Sequence, residues 1–123
     1  MSDSELTNID IALYALYDLG GHEKKAHTEE VAYRAYELAE ERFGWRLPRF
    51  REKHFPDKEP VRIALMDAAK LKYGQLVEGR SGVEAKGKDV DGWFFTPAGG
   101  AWIRDNVDRI QSAQCAFLSQ TYI

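Results

Sequence analysis

The chain has 123 residues, 44% hydrophobic and 30% charged, with 17 Lys plus Arg against 20 Asp plus Glu for a net charge of −3. This composition suits a single globular domain spanning 1–123, large enough to bury a core without disulfides or a structural metal, and no apolar run approaches the roughly 20 residues of a membrane helix. The polar start Met1-Ser2-Asp3-Ser4-Glu5 has no signal-peptide character and the single Cys115 excludes an internal disulfide, which together predict a cytoplasmic protein.

The spacing predicts a first helix over about Thr7–Leu19. Thr7 and Asp10 form a capping pair, and Ile9, Leu13, Leu16 and Tyr17 lie on one face. Gly20-Gly21 ends it. After a charged connector, Thr28 is expected to cap a second helix running to about Arg42, with Val31, Ala35, Leu38 and Ala39 inward and Glu29 and Glu30 in its first turn. Residues 43–56 hold two prolines and no clean period, so they read as an ordered loop whose aromatics pin it down while its bases point outward. Asp57 caps a third helix, Lys58 to about Tyr73, with Val61, Ala64, Leu65, Ala68 and Leu71 inward. The opposite face gathers Lys58, Arg62, Met66, Ala69 and Lys70. The segments 75–79 and 92–96 are strand candidates around a polar, glycine-bearing tip, which is a β-hairpin pattern. Thr96-Pro97 starts a last helix to about Ser119, with Trp102, Ile103, Val107, Ile110, Ala113 and Phe117 apolar.

Charge is unevenly spread along this order. Residues 1–41 carry three bases and ten acids, a net of −7; residues 42–88 carry twelve bases and six acids, a net of +6; residues 89–123 carry two bases and four acids, a net of −2. The acidic total therefore leaves a polyanion-binding face open, although the same bases would also serve as ordinary solvated faces.

Three helices, a hairpin and a closing helix form the element order of the winged-helix domain. Gly92-Trp93-Phe94-Phe95-Thr96-Pro97-Ala98-Gly99 is similar to the wing-exit segment of bacterial members, where a strand ends in Leu-Thr-x-x-Gly; here Phe95 stands in place of Leu. The resemblance implies an α+β, mostly helical fold. It also implies a third helix set to enter the DNA major groove and a wing that touches backbone, which makes Lys58, Arg62 and Lys70 groove candidates and Arg80, Lys86 and Lys88 phosphate candidates. Arg46, Arg49 and Arg51, interleaved with aromatics, are further phosphate candidates. About fourteen residues separate the two helices where a helix-turn-helix has three or four, so the loop either covers or extends the recognition face.

Other chemistry has little support. His22 and His27 lack the companions of a metal site, no cofactor is expected, and no nucleophile or phosphate-loop motif argues for an enzyme. Cys115 reads as a helix-packing thiol. Ile103, Ile110 and Phe117 recur every seven residues with Ala113 between the latter pair, a short seam suited to pairing two copies or to packing on the chain's own first helix. The expected function is a homodimeric regulator binding double-stranded DNA. The alternative is a winged-helix protein-interaction module, suited to the acidic 1–41 segment and the apolar last helix.

Overall fold

The structure, a computed structural model, describes residues 6–45, 47, 49, 53, 55–80 and 91–121, with side chains as far as Ala113. Helix α1 spans Asn8–Asp18, and its start is the expected capping box: Asp10 N–H donates to Thr7 Oγ1 and Thr7 N–H to Asp10 Oδ2, both at 3.0 Å. Gly20, at φ +84°, supplies the left-handed turn at its end. Helix α2 spans Thr28–Leu38. Its cap is His27, not Thr28: the imidazole Nδ1 accepts from Glu29 N–H, and His27 N–H donates back to Glu30. Thr28 is instead fully buried.

The second helix also stops earlier than its apolar pattern predicts. The backbone breaks at Ala39 (φ −152°, ψ 75°) and resumes as a short helix α3, Glu40–Phe43. That break swings Phe43 into the core, where it is the largest fully buried side chain among the described residues. Of the 43–56 aromatics described, Phe43 is buried as an anchor, while Trp45 and Phe55 are partly exposed and meet edge to face. Gly44 and Pro56 form an isolated antiparallel bridge, with Trp45 N–H donating to Phe55 O (2.9 Å) and Asp57 N–H to Phe43 O (2.6 Å). The long excursion between α3 and the next helix thus leaves and returns at one closed neck.

Helix α4, Lys58–Ala68, is capped by Asp57 as expected and buries Val61, Ala64, Leu65 and Ala68. It ends at Ala69, before a 3-10 turn at Leu71–Tyr73 and a left-handed Gly74. The expected inward place of Leu71 fails for that reason: the α period is lost at Lys70 and Leu71 is 79% exposed. Strand β1 is Val77–Arg80 and β2 is Gly92–Phe95, antiparallel in the register Val77↔Phe95 to Arg80↔Gly92. Ala26 bridges the far side of β2, exchanging both backbone hydrogen bonds with Trp93 at 2.9 Å. Helix α5, Pro97–Thr121, closes the chain.

The fold is α+β and mostly helical. Helices α1, α2 and α4 pack on one another, with α5 against α1 and β2. Leu13, Leu16, Val31, Val61, Leu65, Ile103 and Ile110 fill the centre. Ile103 and Ile110, each 1% exposed, and buried Ala113 are therefore spent in the chain's own core. This corrects the expected pairing seam: α1 occupies the face that a second copy would need, while the side chain of Phe117, like that of Cys115, lies outside the described residues. Among the described residues, no helix is long and apolar enough to cross a membrane.

Asp10 joins the cap of α1 to α5. Arg109 Nη2 donates to Oδ1 at 2.9 Å and Nη1 to Oδ2 at 3.3 Å. Burial alone would raise the Asp10 carboxyl, but the hydrogen bonds from Arg109 and Thr7 and the Arg109 charge outweigh it and hold the group below its ordinary 3.8. A carboxyl depressed in the folded state contributes stability above its unfolded value and loses it as pH falls through the folded one. The Asp10→Ala variant is therefore expected to be about 2 kcal/mol less stable at neutral pH, from a lost cap and a half-exposed ion pair. Its deficit should shrink below pH 3.8; denaturant titrations at neutral and acid pH read both effects.

Candidate nucleic-acid interface

Packing of α4 through Val61, Leu65 and Ala68 turns its other side to solvent, because residues three and four apart share a helix face. Lys58 is exposed in the first turn, Arg62 half-buried one turn on, and Lys70 exposed beyond the helix end. Met66 and Ala69 lie partly buried beside them, and Ile63, 49% exposed, stands on the adjoining strip. Of the residues expected on this face, Lys58, Arg62 and Met66 lie on α4, whereas Ala69 and Lys70 fall past its end.

Its charge, however, is locally balanced. Arg62 Nε donates to Glu59 Oε1 at 2.9 Å and Nη2 to Oε2 at 2.5 Å, while Nη1 contacts Met66 Sδ at 3.1 Å. The Arg62 hydrogen bonds hold the Glu59 carboxyl below its usual range against slight desolvation, with the charges of Arg62 and Lys58 adding to the effect. Lys70 Nζ donates to Asp67 Oδ1 at 2.9 Å. Both pairs are three residues apart at the surface, Glu59–Arg62 on α4 and Asp67–Lys70 at its end, where such bridges contribute little. Glu59 and Met66 thus hold the Arg62 guanidinium along the surface of α4.

Arg80 ends β1 in an exposed position, and Arg49 is exposed in the excursion between α3 and α4. Lys86, Lys88, Arg46 and Arg51 lie outside the described residues. Among the described candidates, the fold places Lys58 and Arg62 on one face of α4 and Lys70 past its end, with Arg80 carried separately by the hairpin. His22 lies exposed beside Tyr17 and His27 serves as a helix cap, so both have structural surroundings of their own.

The hairpin is held to the helices at three points. Ala26 pairs with Trp93, Phe95 N–H donates to Gly21 O at 2.9 Å, and Thr28 joins Asp91 and Trp93 through its hydroxyl. Asp91 Oδ1 also accepts from Thr28 N–H at 3.0 Å, which places a carboxylate on the first amide of α2 where the helix dipole favours it. Sequence inspection missed this cluster: its members are 63 and 65 residues apart. An open groove of about 410 Å³, lined by Ala69, Gln75, Glu78, Thr96 and Ala98 among others, separates the end of α4 from β1 and the start of α5.

Comparison with protein-family models, with curated proteins and with solved structures finds no match to this chain.

Proposed function

We propose that this chain is a winged-helix domain that binds double-stranded DNA, presenting α4 to the major groove and the hairpin to the backbone. The observation that carries the reading is the arrangement around α4: a helix packed on α1 and α2 by its inner face, with Lys58 and Arg62 outward and a hairpin tied to the same body through Ala26 and Thr28. A rigid helix face and a rigid hairpin on one scaffold are what fix the register of phosphate and base contacts. The regulatory role and the homodimer belong to the same reading. On that reading sedimentation should give twice the 14.0 kDa of one chain.

A labelled duplex of mixed sequence tests the reading. Binding should weaken with salt by about 0.9 in log–log slope for each phosphate contact, and Lys58→Ala should lower that slope by about 1. Arg62→Glu should reduce affinity at least tenfold, since it removes a bidentate donor and places a carboxylate beside Glu59. Absence of binding at low salt, or binding without a salt slope, refutes DNA recognition.

One observation favours a second reading, a protein-interaction module: Leu71 and Tyr73 project from the turn after α4, and Ile63 from α4 itself, so this side of the domain is apolar as well as charged. In that case a specific partner should be retained after nuclease treatment and lost in Leu71→Asp, with duplex binding absent.

A further inference from the structure

The hairpin leaves one edge of its sheet without a neighbouring strand among the described residues. The outer side of β2 is taken: Trp93 exchanges both backbone hydrogen bonds with Ala26 at 2.9 Å, and Phe95 N–H donates to Gly21 O. In an antiparallel ladder, a residue that turns its backbone groups outward stands opposite one that does the same. Gly79 and Val77, the partners of Trp93 and Phe95, therefore direct N–H and C=O away from β2, along the outer edge of β1. Among the described residues, none of these groups has a hydrogen-bond partner. Val77 is only 2% exposed, and buried backbone groups are almost always paired. The edge borders the groove of about 410 Å³ between the end of α4 and the start of α5, where Ala69, Gly74, Pro97 and Ala98 supply small walls.

We propose that this edge pairs antiparallel with β1 of a second copy of the chain, centred on Gly79, and joins the two hairpins into one sheet. Charge complementarity supports that occupant and that register. Glu78 and Arg80 are both exposed and lie on one face of β1, on either side of Gly79. A twofold axis at Gly79 sets each Glu78 opposite the partner's Arg80, so both cross-strand pairs join opposite charges. A guanidinium carries five donors, so the pairing leaves Arg80 able to keep other contacts. Gly79 has no side chain to hold the two backbones apart at the axis. The pairing rests on the homodimer of the proposed function, to which it gives a surface, and on no contact with DNA.

The test is sedimentation of the full chain in the absence of DNA, with hydrogen exchange of the Gly79 amide as a second readout. The chain should sediment at twice 14.0 kDa with that amide protected. Glu78→Arg and Arg80→Glu each turn two attractive pairs into two repulsive ones, and each should weaken the dimer about tenfold and expose the amide. An equimolar mixture of the two variants should recover the dimer, because their altered strands complement each other. The chain carrying both changes should recover it as well. A monomer at all concentrations, a dimer indifferent to either single change, or a mixture that stays monomeric would each overturn the assignment. An indifferent dimer would leave the homodimer in place on another face, and duplex binding by the unaltered chain, measured separately, decides the DNA reading.

Discussion

Gly99→Ala is expected to lower stability by about 3 kcal/mol, whereas the same substitution at the next residue, Gly100→Ala, should raise it by about 0.5–1 kcal/mol. The opposite signs come from the surroundings. A Cβ at Gly99 would overlap the carbonyl oxygen of Leu76, 2.7 Å from its carbonyl carbon, and would lie 2.9 Å from Phe95 Cδ1. Leu76 cannot withdraw, because its N–H donates to Ala68 O at the end of α4 (2.8 Å) and its carbonyl accepts from Thr96 N–H (3.1 Å). At Gly100 the nearest atom is the far end of the Arg104 side chain at 3.6 Å, so alanine there brings only its better helix propensity. Chemical denaturation of the two variants reads the contrast directly. If Gly99→Ala were neutral, the close approach of α5 to the residue joining α4 and β1 would not be what fixes their spacing.

The same contact explains part of the sequence signal. The Thr-x-x-Gly pattern at 96–99 was legible only as a resemblance, yet each member has a physical task. Thr96 Oγ1 donates to Gln75 O at 2.6 Å and accepts from Gly99 N–H at 3.0 Å, and Gly99 leaves room for Leu76. Local devices of this kind are readable because their partners are near in sequence. The Thr7–Asp10 box and the Asp57 cap stand as expected for that reason. The His27–Glu30 box has the same spacing, but imidazole is an uncommon cap and the adjacent Thr28 is the stronger N-cap residue by type. The salt bridges on α4 were equally within reach, since Glu59 and Arg62, like Asp67 and Lys70, are three residues apart; segment charge alone hid them.

Other features depend on contacts that no local pattern encodes. No glycine or proline marks the end of α2 at Leu38; the break serves the burial of Phe43, a tertiary demand. The recurrence of Ile103 and Ile110 specifies an apolar stripe but not its owner, and α1 of the same chain takes it. Leu71 continued the period of α4 on paper, but the helix had already turned at Lys70.

Thr28→Val should likewise cost about 3 kcal/mol, although valine matches threonine in shape and favours burial. The hydroxyl donates to Asp91 Oδ1 at 2.5 Å and accepts from Trp93 Nε1 at 3.0 Å in a fully buried position. Without it the indole N–H is left unpaired in the core, at a cost of about 1–3 kcal/mol, and a carboxylate loses one of its charge-assisted hydrogen bonds, worth about 1.5–3 kcal/mol. Thr28→Ser keeps both bonds and sheds only a methyl, so it should lose about 1 kcal/mol. Stability alone would not separate this network from ordinary packing. Exchange at the Trp93 indole does: it should quicken in Thr28→Val and stay protected in Thr28→Ser. The consequence reaches the proposed interface, because Asp91 and Trp93 flank the start of β2, whose Gly92 pairs with Arg80. Loosening Thr28 frees that end of the hairpin from α2 while leaving every base on α4 in place. Duplex affinity should then fall and the salt slope should lessen, because phosphate contacts made through the hairpin are lost although its charges remain. An unchanged affinity in a folded Thr28→Val chain would mean that the hairpin takes no part in binding.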